Sequence, residues 1–346
     1  MRNFATLQKL HKGDKVAILS PSFAAPGKWP HVYDLGLERI KDVFGLVPVE
    51  YPTTKKIGAT KEERSRDLIA AFEDTQIKGV ISTLGGNDQV TYIKNLPAEP
   101  FITHPKPYFG YSDNSHFMNF LWLNGIPSFY GGALFTEFAE QTAIHPFTMK
   151  YLQKALFENG EVELDVSAEY NDIGINWDEP TNLSRKREYE PVEGWQWDGS
   201  TNAHGITWGG CLESIDEMLR HGVPIPAVED FNDIVLLVET SEEVPKQEYV
   251  FRVLRALGER GILERVKGIL VGRPKAWRFE KAWTSERKKL YRERQRETVI
   301  STVRTYNTQV PIVQNLDFGH SSPQILLPYG AKVRIEGGNK KIFIQF

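Results

Sequence analysis

Ile77–Asp88, IKGVISTLGGND, and Pro107–Ser115, PYFGYSDNS, decide how this chain is read. Each is a short apolar run that breaks into small and polar residues. An apolar run of that length bounded by turn residues predicts a strand buried on both faces. The residues after the second run place Phe117, Phe120 and Leu121 on one helical stripe. The same unit recurs upstream. KVAILSPS is a strand running into a turn, and VYDLGLERIKDVFG has helical spacing at Leu35, Leu37, Ile40 and Val43 before Gly45. VPVEYP is another strand. TKEERSRDLIAAFED opens with Thr60 and Glu63, the spacing of a capping box. Strands alternating with helices predict an α/β fold with a mainly parallel sheet covered on both faces.

The chain has 346 residues, enough for two domains. With 40% hydrophobic and 25% charged residues it reads as a globular protein, and a net charge of −3 argues against nucleic acid as a partner. No apolar run approaches the roughly 20 residues that span a bilayer, and the N-terminus lacks the apolar core of a signal peptide. Cys211 is the one cysteine, so no internal disulfide forms and a cytoplasmic setting is expected. The eight histidines show no metal-ligand spacing such as HExxH, and a single cysteine excludes a thiolate metal site.

From about Ser167 to Ser200 the sequence turns polar and carries Trp177, Trp195 and Trp197. Loops of that length are usually functional or disordered, so the stretch reads as a linker or a long active-site loop. A second set of elements follows: the strand HGITWGG, a helix ending at Gly222, the strand NDIVLLVETS, a helix YVFRVLRALGERG, the strand VKGILVGRP, a charged helix near 283–305, and a closing hairpin AKVRIEGGNKKIFIQF. The expected organisation is an N-terminal α/β domain over 1–166, a connecting loop over 167–204, and a C-terminal mixed α/β domain over 205–346.

Three strand ends carry candidate chemistry. Ser112 precedes a helix at the carboxyl end of a predicted strand, where ligands bind in open parallel sheets. It could be a nucleophile beside helix N–H groups that stabilise developing negative charge, or a plain helix cap. The local letters favour the cap, because Asn114 stands where a GxSxG elbow has its second glycine. Glu239 ends IVLLVET, and the carboxylates after it read equally as a solvated loop. His320 sits in the polar turn of LDFGHSSP and could be a general base or a turn histidine satisfied by a hydroxyl. Together they could make a triad, since serine needs a base and the base needs a carboxylate. The glycines of TLGGND permit close approach to a ligand.

The ordered set GDKVAILSPS, STLGGND, FGYSDNS, WGGCLESI, LLVETSEE, KGILVGRP and LDFGHSSP spans residues 13–330 and resembles the LD-carboxypeptidase family of serine peptidases. The long tryptophan-bearing segment resembles the microcin C immunity branch more than the murein tetrapeptide carboxypeptidases. The resemblance implies a swivelling β/α/β-like C-terminal domain and a homodimer without metal or organic cofactor. It assigns Ser112 as nucleophile, Glu239 as carboxylate and His320 as base, with the amides of Gly86 and Asp113 as oxyanion hole. Gly85, Asn87 and Gly210 in the glycine turns are expected to bind substrate. The implied reaction cleaves the amide joining a terminal aspartyl residue to a modified nucleotide in peptidyl or aminoacyl nucleotides. Trp177 is the expected base-stacking residue, with Trp195 and Trp197 as second choices, though all three could simply pin the loop. Ser184–Glu188, SRKRE, could meet a phosphate or be a solvated face, and SERKKLYRERQRE is read as an exposed helix. The rival functions are a murein LD-carboxypeptidase, a phosphotransferase using GGND as a phosphate loop, and a non-catalytic nucleotide, sugar or peptide binder.

Overall fold

The computed structural model describes residues 2–278 and 283–346. Five strands open the chain: β1 (Lys15–Leu19), β2 (Val47–Glu50), β3 (Ile77–Ser82), β4 (Tyr108–Gly110) and β5 (Ser128–Tyr130). They pair in parallel in the spatial order β2-β1-β3-β4-β5. In β3 every residue but Lys78 is buried, as a strand covered on both sides requires. Helices Pro30–Asp42, Lys61–Glu73 and Ser115–Leu123 supply crossovers. The second starts as its letters predict. The Thr60 hydroxyl accepts from the Glu63 N–H, and the Glu63 carboxylate accepts from the Thr60 N–H. Chain order reverses between β1 and β3, so the turns after these two strands flank the crevice where open α/β sheets bind ligands.

Later strands build a second sheet around β10 (Ala203–Cys211), which follows four short strands: β6 (Glu161–Glu163), β7 (Glu169–Tyr170), β8 (Glu190–Pro191) and β9 (Gln196–Asp198). After it come β11 (Ile234–Glu239), β12 (Gly268–Gly272), β13 (Ile312–Leu316), β14 (Leu327–Tyr329), β15 (Lys332–Glu336) and β16 (Lys341–Gln345). The order β6-β16-β15-β10-β11-β12-β13-β9 has a parallel centre and antiparallel edges. The architecture is thus mixed α/β, with the C-terminal hairpin at β15–β16 as predicted.

The two sheets exchange strands. β14 lies antiparallel to β5 in the first sheet, whereas β6 edges the second. The polar segment after Ser167 is less irregular than its composition suggests: β7 pairs with β8, and β9 extends the second sheet through Trp197 opposite Val313.

One expectation fails. The helix Ser285–Tyr306 is not solvated on all its charged faces. Lys288 and Arg292 are buried, and both grip the carboxylate of Asp172, Lys288 at 2.9 Å. Arg292 also lies over the Tyr170 ring, 4.6 Å from its centroid. Long basic stems bury readily when a carboxylate meets the head group, and the partner lies more than a hundred residues away in sequence. The run Ser184–Glu188 is split likewise. Arg187 donates to Asn171 Oδ1 at 2.8 Å and Ser322 Oγ at 3.0 Å, tying the connecting segment to the turn after His320.

Candidate active site

β4 ends at Gly110, and the chain turns at Ser112 with φ +63°. That left-handed conformation costs a side-chain-bearing residue about 1–2 kcal/mol. It is not the conformation of an ordinary helix cap, the caps of the 3-10 turn and of the following helix are Tyr111 and Asn114, and among the described residues no N–H donates to the Ser112 hydroxyl. The cap reading therefore fails on both counts. Strain at a strand-to-helix turn is a feature of nucleophile elbows. Ser214 Oγ holds the Ser112 carbonyl at 3.2 Å from the second half of the chain.

The glycine turn after β3 closes over Ser112. A Cβ on Gly85 would lie 3.0 Å from Ser112 Oγ and 3.4 Å from the Asp113 amide nitrogen. Gly86 has φ +150°, and a Cβ there would stand 2.2 Å from Ser22 Oγ. Among the described residues, neither the Gly86 nor the Asp113 N–H donates to a protein acceptor. Asn87 is exposed at the rim. Gly210, buried in β10, abuts Tyr130 and Ser115. Replacing Gly86 with Ala would drive a Cβ into Ser22 Oγ at a φ that side chains rarely adopt, so the variant is expected to lose about 1 kcal/mol or more of stability and to lose activity. Steady-state kinetics beside a thermal melt check this.

The Asp113 side chain does a separate job. Its Oδ2 accepts from Ser22 Oγ at 2.5 Å and from the Asp88 and Gln89 amides at 3.1 Å, lashing the glycine turn to the serine turn. Burial raises its carboxyl pKa in spite of these donors. His116 Nε2 lies 3.5 Å from the other oxygen and 3.1 Å from Glu217. Asn114 bonds Tyr108, Gln89 and Leu84, which explains an amide where the elbow motif has glycine. Ser22 escaped the sequence, where its only cue is its place beside a strand end, and Asn114 stood out there only as a departure from the elbow motif.

Glu239 and His320 come together. Nδ1 of His320 is 2.7 Å from Glu239 Oε2, while Glu239 Oε1 accepts from Tyr130 Oη at 2.5 Å. Glu239 ends β11 and Tyr130 ends β5, so this bond joins the two sheets. The imidazole reaches the serine turn through Tyr111, whose ring centroid is 5.0 Å from its own. Its Nε2, however, faces Glu242 Oε2 at 3.1 Å, a residue the sequence reading left in a solvated loop. Burial lowers the His320 pKa, but the Glu239 and Glu242 carboxylates outweigh it and raise it to about 10. Glu242 itself is 62% exposed. Near it, Glu213 accepts from the Ser241 hydroxyl and amide, and the Cys211 thiol lies against its other oxygen. A cavity of about 550 Å³ opens beside this turn, lined by Glu213, Glu243, Lys246 and Arg278 rather than by the triad.

Trp177 packs edge-to-face with Trp29 at 5.1 Å and Phe135 at 5.4 Å. Trp29 contacts Phe23, whose N–H donates to the Gly85 carbonyl, so the loop tryptophan is coupled to the glycine turn. Trp195 instead donates to Asp317, and Trp197 is in β9.

Comparison with known proteins places the chain in a family. The LD-carboxypeptidase N-terminal domain profile matches residues 16–131 and the C-terminal domain profile residues 204–335. The chain belongs to the LD-carboxypeptidase family. It is accordingly a serine-type carboxypeptidase. Over 82% of its length this LD-carboxypeptidase family member is 24% identical to the microcin C7 self-immunity protein of Escherichia coli, covering 78% of that protein. It is 26% identical to a probable murein peptide carboxypeptidase of Bacillus subtilis over 97% of this chain and 93% of that one. A self-immunity-like protein from Streptococcus pneumoniae, solved with AMP, superposes with a TM-score of 0.83 at 25% identity, covering 96% of this chain and 98% of that one. Among the described residues no helix is long and apolar enough to cross a membrane.

Proposed function

We propose that this carboxypeptidase uses Ser112, His320 and Glu239 to cleave the amide between a terminal aspartyl group and a modified nucleotide, as a detoxifying step. The observation that carries the reading is the 2.7 Å His320–Glu239 contact, with the His320 ring 5.0 Å from that of Tyr111, the residue before a strained Ser112. His320 Nε2 takes the Ser112 proton as Oγ attacks the carbonyl carbon. Glu239 fixes the ring with Nδ1 protonated and stabilises the imidazolium. The Gly86 and Asp113 amides receive the oxyanion. His320 returns the proton to the leaving nitrogen, and water releases the acyl group.

The nucleotide reading draws support from the AMP complex of the streptococcal protein and from the immunity relative. The murein relative favours a second reading, a peptide with a terminal D-residue. Parallel assays with aspartyl sulfamoyl adenosine and a muropeptide tetrapeptide separate them; turnover of the tetrapeptide alone rejects the nucleotide assignment. Gly85, Asn87 and Gly210 line the acyl side in this proposal, and Trp177 stacks the base. Stacking is worth about 1–3 kcal/mol, or roughly 5- to 150-fold. Trp177→Ala should raise KM for the adenosine substrate by that factor with little change in kcat. If the tryptophan only pins the loop, kcat falls on every substrate.

A further inference from the structure

We propose that Glu242 is the subsite for a free α-ammonium group on the acyl residue, and that in the unliganded enzyme the same carboxylate occupies the general base. This inference rests on the triad reading above. It selects aminoacyl nucleotides, whose acyl residue has a free amine, over peptidyl forms and muropeptides, whose acyl residue is joined through that nitrogen.

The competition is one of atoms. Nδ1 of His320 is committed to Glu239 at 2.7 Å, so Nε2 alone can accept the serine proton. In this structure Nε2 faces Glu242 Oε2 at 3.1 Å. One ring nitrogen cannot hold an imidazolium hydrogen bond to Glu242 and accept from Ser112. The productive state therefore requires Glu242 to leave Nε2 and the imidazolium proton to pass to solvent. Among the described residues His320 is the sole ion-pair partner of the Glu242 carboxylate, so its release forfeits that attraction unless another cation replaces it.

A substrate ammonium is in the right place to replace it. Backbone geometry sets an α-nitrogen about 2.5 Å from the carbonyl carbon that Ser112 attacks, and Nε2 must come within about 3 Å of Oγ. The ammonium thus arrives within a few ångströms of the atom that Glu242 covers. The surrounding charge also favours a cation. Glu239 and Glu242 touch the imidazole, Glu213 acts on it through space, and Lys275 is the basic group acting on Glu242. Tyr111 closes the remaining ring face without charge. Apart from His320, its own backbone N–H and the charge of Lys275 act on the exposed Glu242 carboxylate among the described residues, and neither stops it from swinging.

The test compares aspartyl sulfamoyl adenosine with its N-acetyl derivative, using the wild type, Glu242→Gln and Ser112→Ala. The wild type should prefer the free amine by 10- to 100-fold in kcat/KM. Glu242→Gln should lose at least tenfold on the free amine and shrink the preference below threefold. Its acid limb of kcat/KM should also move to lower pH, because one of the two carboxylates that raise the His320 pKa is gone. Retention of the preference in Glu242→Gln, or equal loss on both substrates, overturns the inference. An active Ser112→Ala would instead overturn the triad reading, whatever Glu242 does.

Discussion

Ser112→Ala is expected to remove hydrolysis of either substrate by about 10⁴- to 10⁶-fold, the range seen when a triad nucleophile is deleted. The fold should survive, because the adjoining helix caps are Tyr111 and Asn114 and, among the described residues, no N–H donates to the Ser112 hydroxyl. A companion variant probes the strain. Ser112→Gly should be equally inactive yet more stable by about 1 kcal/mol, since glycine adopts φ +63° without the penalty a Cβ imposes. Urea unfolding measures the stability, and a discontinuous kinetic assay the residual rate. If Ser112→Gly were less stable than the wild type, the turn would not be strained. If Ser112→Ala kept the native rate, the nucleophile would lie elsewhere.

Glu239→Gln should cost about 10⁴-fold in kcat. The amide NH₂ donates to Nδ1 where the carboxylate accepted from it, which puts the imidazole proton on Nε2 and leaves no lone pair for Ser112. The variant keeps the bond that links the sheets, because its amide carbonyl still accepts from Tyr130 Oη. Its stability has a pH signature with a defined sign. In the folded wild type the His320 pKa is raised from 6.5 to about 10 by Glu239 and Glu242 against the opposing effect of burial. The pair therefore contributes fully below pH 6.5, and its contribution is lost as pH rises through about 10. The stability gap between wild type and Glu239→Gln should narrow over that window. Melts at pH 6 and pH 10 test it; a gap that widened with pH would contradict the assigned pairing.

Much of the scaffold was legible because its causes are local. Buried strands such as β3 read as apolar runs, the Thr60–Glu63 box announced its helix, and Gly222 marks a helix end with φ +64°. The three triad positions were legible only as strand ends, each with a plainer reading beside it. For Ser112 the plainer reading was the stronger one locally, and it is wrong because it rests on letters that do not encode φ. Glu242 was hidden for a different reason. An exposed acidic residue in an acidic turn has no distinguishing letter, and its significance comes from a histidine that follows dozens of residues later. The burial of Lys288 and Arg292 on Asp172 was hidden in the same way.

By itself the sequence determined the alternation of strands and helices, the two-part α/β architecture and the family, because periodicity, caps and ordered motifs are properties of neighbouring residues. Only the tertiary structure decided the β1/β3 reversal, the exchange of β14 and β6 between sheets, the Tyr130–Glu239 link and the second carboxylate on His320. These depend on which distant surfaces pack together. A hydrogen bond acts over about 3 Å in space and takes no account of separation along the chain.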